Sequence, residues 1–284
     1  MDTKTSHSFS EFKKTKDFLL CVDSDGCVMD TMDIKHKKCF GPCFVAEWQL
    51  EKYNDEMLER WNEINLYSMD RGINRYKGLE IILNEINDKY ISVEGLEDLR
   101  NWVSTTGEFS FSSLEAEIKK TDSPCLKKAS NWSKMVNKSI HELDEDELLP
   151  FDGVHEILMP AKSLADIAIV SSANPDAVHK EWTKHGLLDV VDILLAQDAG
   201  TKSFCIKRLM EFGYDKKHVL MIGDAPGDMS AAEANGVFFF PVLAGREKES
   251  WAQLGDIIKK FTSTGLNEQL QKELKEKFIK HLTK

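Results

Sequence analysis

The sequence predicts an α/β protein with a doubly wound parallel sheet and an all-helical module inserted after the first strand. Three observations predict it. Short, continuously apolar runs recur along the chain, each followed at once or within a few residues by Gly, Ser or Asp. Amphipathic stretches lie between them, and strands that are apolar throughout belong to a parallel sheet covered on both faces. The alternation then fails over one long interval, residues 32–149, where charged and aromatic residues follow a helical pattern.

The first run, residues 18–22, ends in Asp23-Ser24-Asp25-Gly26. The later runs fall at 167–170, 190–195, 219–222 and 237–242, with helices expected at 176–185 and 202–212, the latter closed by Gly213. Together these form a Rossmann-like core of residues 1–31 and 150–284 around an insert at 32–149. Within the insert, Pro42 is expected to open a helix that buries Trp48, Leu50, Tyr53, Met57 and Trp61. The acidic run 142–147 before Pro150 reads as a solvated exit from the insert. Near the end, Leu266, Leu270, Leu274, Phe278 and Leu282 stand four apart, the stripe of a helix packing on its own domain, with a dimer contact as the alternative. The chain is expected to be a monomer or homodimer.

Composition narrows the function. Of 284 residues, 42% are hydrophobic and 30% charged, as in a soluble globular protein. Forty-eight acidic residues against 37 Lys and Arg leave a formal charge of -11. Nucleic acid and anionic membranes both need a basic surface, so neither is an expected partner. No apolar run approaches the roughly 20 residues of a membrane span, and residues 1–17 are polar, without the apolar core of a secretion signal. The six cysteines form no C-x-x-C pair and read as free thiols in a reducing cytoplasm.

Four positions carry candidate chemistry. Ligands of an open α/β sheet bind beyond the carboxyl ends of its strands. Asp23 and Asp25 sit there, two residues apart after the first run. A single D-x-D is as often a solvated loop. After the second run comes Ser171-Ser172-Ala173-Asn174; a hydroxyl at a strand end donates to a phosphate oxygen, or merely caps the next helix. Lys202 opens a helix after Gly200-Thr201, where an ammonium neutralises a phosphoryl oxygen and keeps an aspartate ionised. Most lysines are only solvated, so this one matters through its companions. Finally Gly223-Asp224-Ala225-Pro226-Gly227-Asp228 delivers two carboxylates after four apolar residues, hard oxygen ligands of the kind that suit Mg²⁺.

Taken in order, D-x-D, Ser, Lys and G-D-x-x-x-D resemble the motif set of the haloacid dehalogenase-like superfamily. The likeness covers residues 18–31 and 151–243. Asp23 to Thr31, as D-x-D-G-x-x-x-D-T, and Phe151-Asp152-Gly153-Val154 are similar to the subgroup containing phosphoglycolate phosphatases and β-phosphoglucomutase, whose helical cap the insert resembles. The resemblance implies a phosphatase acting on a small phosphorylated substrate, with Asp23 as nucleophile and Asp25 as acid and base. It implies Mg²⁺ held by Asp23, the Asp25 backbone carbonyl and Asp224, with Asp228 orienting metal-bound water or ligating directly, Ser171 and Lys202 on the transferring phosphoryl group, and Ser172 and Asn174 as further substrate contacts. The cap would close over the site. Gly72-Ile73-Asn74-Arg75-Tyr76-Lys77-Gly78-Leu79 resembles the specificity loop of β-phosphoglucomutase, which implies a flexible loop between Gly72 and Gly78 with Arg75 on the leaving group and Asn74 and Tyr76 beside it.

The resemblance leaves alternatives. A dehalogenase lacks the second aspartate and a phosphonatase replaces it with Ala, so Asp25 argues against both. A mutase of the β-phosphoglucomutase type carries a cap His twelve residues after the nucleophile; here Lys35 stands there and His36 one further on. A catalytically idle binding module on the same fold is the reading from another class, against which the intact set of acids and lysine weighs.

Overall fold

The run at 18–22 forms β1 (Leu19–Val22), all four residues buried. The protein is described here from a computed structural model covering residues 8–283. The polar reading of residues 1–17 therefore falls partly, over 1–7, outside the described residues. The chain divides into two compact units, Met1–Met32 with Asp146–Lys284, and Asp33–Glu145.

Residues after β1 turn helical. α1 (Met32–Lys35) runs through one π-helical turn, His36–Phe40, into α2 (Gly41–Glu47), with Pro42 in the first turn of α2. The single helix expected through Trp61 is broken: Gln49 takes φ 57°, a 3₁₀ turn follows at Glu51–Tyr53, and α3 (Asn54–Leu66) starts anew. The break leaves Trp48, Leu50 and Trp61 buried, so apolar periodicity alone did not register it. α4 (Arg75–Lys89), α5 (Leu96–Thr105), α6 (Phe111–Thr121) and α7 (Pro124–His141) complete the unit. Its core is aromatic: Phe44 stacks on Trp61 at 5.4 Å, and Trp132 meets Trp61 edge-on at 5.6 Å. The indole N–H groups are also used, Trp61 donating to His36 Nδ1 at 3.1 Å and Trp132 to the Phe40 carbonyl at 3.2 Å.

The segment expected as a flexible loop around Arg75 is a helix start. Asn74 caps α4, its side chain accepting from the Tyr76 N–H at 3.0 Å. Gly78 lies inside α4 and lets α3 approach; a Cβ there would stand 2.5 Å from the Asn65 Oδ1. Tyr76 is buried edge-on against Trp102 at 5.0 Å, so its ring is part of the core and not a stacking surface.

The first unit resumes with α8 (Val154–Ala161), β2 (Asp166–Val170), α9 (Pro175–Lys184) and β3 (Ile193–Leu195). There follow α10 (Lys202–Met210), β4 (Val219–Gly223), α11 (Pro226–Asn235), β5 (Phe238–Pro241), α12 (Glu247–Phe261) and α13 (Glu268–Leu282). The strands are all parallel, in the order β3-β2-β1-β4-β5. The predicted fold class, a doubly wound parallel sheet with an inserted helical module, is the observed one. Alternate residues of each strand face opposite layers. Leu20, Val22, Ile167, Ile169 and Ile222 pack against α8, α9 and α12. Leu19, Cys21, Val170, Met221 and Phe239 pack against α10, α11 and α13.

Strand edges moved relative to the apolar runs, two of them through polar contacts. β2 begins one residue early, at Asp166, because that buried carboxylate accepts the Thr15 and Lys16 N–H groups at 2.9 and 3.0 Å and the Tyr214 hydroxyl. β3 is short: Leu188–Val190 forms a 3₁₀ turn, and Asp192 accepts the Ile167 N–H at 2.8 Å before the strand starts. The cysteines are free and, Cys43 excepted, buried; burial pushes Cys205 up to about 11, so these thiols pack as hydrophobes.

α13 covers the β5 edge. Gln271 imitates a neighbouring strand, accepting the Phe239 N–H at 2.7 Å and donating to the Phe239 carbonyl at 2.9 Å. Phe278, 1% exposed, meets Phe239 edge-on at 5.4 Å. Phe278→Ala is expected to cost about 3–5 kcal/mol in urea unfolding, the range for truncating a buried phenylalanine. A loss below about 1 kcal/mol would mean that α13 does not complete the core.

Candidate active site

Order 3-2-1-4-5 reverses direction between β1 and β4, and a doubly wound sheet opens its crevice at such a reversal. Asp23 leaves β1 there and Asp224 leaves β4. The Asp23 N–H extends the ladder to the Ile222 carbonyl at 3.0 Å. The chain then folds on itself: the Ser24 carbonyl accepts N–H bonds from Cys27, Val28 and Met29 at 3.3, 2.9 and 2.9 Å. Gly26 supplies the left-handed φ of 79° that this turn needs. The Asp25 carboxyl accepts the Thr31 hydroxyl at 2.7 Å.

Lys202, in the first turn of α10, reaches both sides of the crevice. Its Nζ stands 2.7 Å from Asp23 Oδ2 and 2.6 Å from Asp228 Oδ1. α10 is started by Thr201, whose hydroxyl accepts the Phe204 N–H at 3.2 Å. Asp228 is fully buried in the first turn of α11, and its second oxygen accepts the Ala225 N–H at 3.0 Å. Gly223 is required where β4 ends: any Cβ would fall 2.3 Å from the Asp228 carboxyl carbon. Thr31 and Gly223 stand in the sequence motifs only as positions; the bond to the Asp25 carboxyl and the space left for Asp228 become visible in the fold.

Asp23, Asp224 and Asp228 are all buried, and each offers a carboxylate oxygen within 4.8 Å of the others. Burial raises the Asp23 carboxyl to about 8; Lys202 pulls against that, while Asp228 and Asp224 push the same way as burial. Burial acts to lower Lys202, yet Asp228 and Asp23 hold it above its ordinary value.

The remaining predicted residues are distributed as follows. Ser171 ends β2, 3% exposed, its N–H bonded to the Leu195 carbonyl at 2.9 Å and its hydroxyl accepting the Ala173 N–H at 3.1 Å. Ser172 is exposed beside it. Asn174 caps α9, its Oδ1 accepting from Asp176 and Ala177 at 3.0 and 3.2 Å. Arg75 belongs to the helical unit, where it donates to Ser133 Oγ at 3.1 Å and Asn137 Oδ1 at 2.8 Å and lies over the Phe40 ring at 4.9 Å.

Residues 73–242, more than half of the chain, match the family model of haloacid dehalogenase-like hydrolases. The chain belongs to the haloacid dehalogenase-like hydrolase family. The matched stretch includes Ser171, Lys202, Asp224 and Asp228 and begins after Asp23 and Asp25. Among solved structures it is similar to a protein of Lactobacillus delbrueckii subsp. bulgaricus described as a phosphoglycolate phosphatase (14% identity, TM-score 0.54, 86% of this chain and 99% of that one). It is also similar to a haloacid dehalogenase-like hydrolase of Bacteroides fragilis (14%, 0.53, 84% and 99%). A third is a Thermotoga maritima protein described as a β-phosphoglucomutase (15%, 0.51, 84% and 99%). At these identities the likeness is one of fold. No curated protein matches the sequence. Among the described residues, no helix is long and apolar enough to cross a membrane.

The charge imbalance has a measurable consequence. Between its unfolded value of 3.8 and about 8, Asp23 keeps in the folded state a proton that the unfolded chain has released. Folding stability from this group is therefore largest at the acid end and declines as pH rises through that window. In chelator-treated protein, Tm is expected to fall between about pH 5 and about pH 8, and Asp23→Asn to flatten the slope. A slope of the opposite sign would show that Lys202 alone holds Asp23 ionised.

Proposed function

We propose that the protein is a phosphatase that depends on a divalent ion, expected to be Mg²⁺, and cleaves a small phosphorylated metabolite through Asp23. The observation that carries the reading is the meeting of Lys202 with Asp23 and Asp228 beside Asp224 at the carboxyl ends of β1 and β4. Three buried carboxylates against one ammonium leave negative charge that a small dication offsets, and carboxylate oxygens are the donors Mg²⁺ takes. Asp23, Asp224 and Asp228 would hold the ion, with the Asp25 carbonyl as the further ligand that the family resemblance implies. Bound there, it supplies positive charge against the phosphoryl oxygens.

The chain's own residues divide the work. One Asp23 oxygen attacks phosphorus in line; the bond to the leaving oxygen breaks as the aspartyl-phosphate forms. Asp25 gives that leaving oxygen its proton, with the Thr31 hydroxyl fixing the direction of its carboxyl. Asp25 then takes a proton from water, which attacks phosphorus, releases inorganic phosphate and restores Asp23. Lys202 and the Ser171 hydroxyl offset charge on the transferring group, and Ser172 is a further substrate contact in this reading. The free thiols suit a reducing cytoplasm.

The test is phosphate release from a panel of phosphorylated metabolites with and without Mg²⁺. Asp23→Asn is expected to lower it by at least about a thousandfold, and undiminished hydrolysis in that variant would assign the chemistry elsewhere. Asp25→Asn should cripple turnover while still allowing the intermediate to form from a good leaving group. Independently of turnover, Mg²⁺ should raise Tm in the native protein and not in Asp224→Asn; equal shifts in both would place the ion at another site.

A further inference from the structure

Two indole N–H groups end on the loop that follows β1. Trp182, on α9, donates from Nε1 to the Ser24 hydroxyl oxygen at 2.9 Å. Trp251, on α12, donates from Nε1 to the Cys27 carbonyl at 2.9 Å. Both rings, Ser24 and Cys27 are fully buried.

The surroundings make these donors unusual. The layer that holds both rings is otherwise built of Val178, Leu187, Leu254, Ile258 and similar side chains. An apolar residue would fill either position without a hydrogen-bonding requirement. A buried indole N–H left unpaired costs free energy, so its partner constrains where the ring can sit. Both indoles find theirs within four residues of each other, on the loop that bears Asp23 and Asp25.

Ser24 is the centre of that loop. Its carbonyl gathers three N–H groups, and in the chain it stands between the two aspartates. A hydroxyl held by α9 at Ser24 therefore restrains the stretch of backbone from which both Asp23 and Asp25 leave. The Cys27 carbonyl, fixed by α12, holds the return of the same turn, and the Cys27 thiol lies 3.6 Å from the Ile222 carbonyl that receives the Asp23 N–H.

We propose that Trp182 and Trp251 are positioning residues for the reaction, their indole N–H groups locking the Asp23–Asp25 loop in its reactive geometry. The proposal rests on the reading of Asp23 and Asp25 as the reacting groups. Neither ring touches substrate in this account; Trp182 acts through the Ser24 side chain and Trp251 through the Cys27 backbone carbonyl.

Trp182→Phe removes the donor and keeps an aromatic ring, Ser24→Ala removes the acceptor with the smallest change of volume, and Trp251→Phe tests the second tie. With p-nitrophenyl phosphate and Mg²⁺, kcat is expected to fall about ten- to a hundredfold in each, with KM within about twofold, as for a misplaced reacting group. The Trp182→Phe, Ser24→Ala double variant should lose no more than the worse single variant, because both remove one bond. In parallel, hydrogen exchange at the Val28 and Met29 amides, which donate to Ser24, should quicken in all three variants while exchange in the β4 amides is unchanged. An active wild type whose variants keep kcat and amide exchange overturns the proposal and leaves the phosphatase reading standing. Additive losses with general quickening of exchange also overturn it, since they mark packing. A wild type that releases phosphate from no ester sinks the functional reading itself.

Discussion

Lys202 sits where three carboxylates converge, its ammonium within bonding distance of both Asp23 and Asp228. Buried charge of this kind is tolerable only when opposed, and removing one partner from such a pair costs about 3–5 kcal/mol. The constraint propagates outward. For the ammonium to touch both aspartates, β1 must end beside β4, α10 must begin at Lys202, and α11 must present Asp228 in its first turn. Thr201 starts α10 at that residue and Gly223 leaves the space that the Asp228 carboxyl occupies. The parallel order with β1 and β4 in the middle satisfies all of these demands at once.

The apolar layers serve the same arrangement. β1 has no solvent-facing residue, so both faces are committed, one to α8, α9 and α12 and the other to α10, α11 and α13. A one-residue slip of β1 would exchange the two faces and turn Asp23 away from Lys202. Register is thus enforced by hydrophobic packing while its product is polar. Polar groups settle other parts of the sheet: Asp166 ties residues 15 and 16 to the start of the interior strand β2, and the Gln271 amide closes the edge strand β5.

Much of this was legible in the sequence, and the reason is physical. Strands buried on both faces must be continuously apolar, so β1, β2 and β4 are visible as unbroken runs, and the polar residues that end them mark the ligand edge. Asp23 and Asp224 were readable because each stands at such an end, and Lys202 and Asp228 because each opens the helix that follows one. What escaped depends on distances in space. The break at Gln49 leaves the same side chains buried as an unbroken helix would. Gly78 looks like a hinge in the sequence and is a contact point for Asn65 in the fold. Tyr76, expected at a ligand, is held in the aromatic core. Asn174 has its acceptor committed to the α9 cap, which a helix-start rule also predicts for an Asn before Pro.

The loop between β1 and α1 gathers these strands of argument. Two carboxylates leave it two residues apart, and the proposed reaction gives them different tasks, yet it lies past the end of the ladder, where strand pairing no longer holds it. Its rigidity comes instead from bonds that each need a particular group. Gly26 allows the tight reversal, the Ser24 carbonyl collects three amides, Thr31 steadies Asp25, and the Ser24 hydroxyl and Cys27 carbonyl receive indoles from the layer beneath. None of these partners is close in sequence to Lys202 or Asp224, but all of them bear on where the Asp23 carboxylate points. Reactive geometry in this fold is therefore a property of the apolar layer as much as of the acids above it: the large side chains that fill the core also carry the donors that aim the loop.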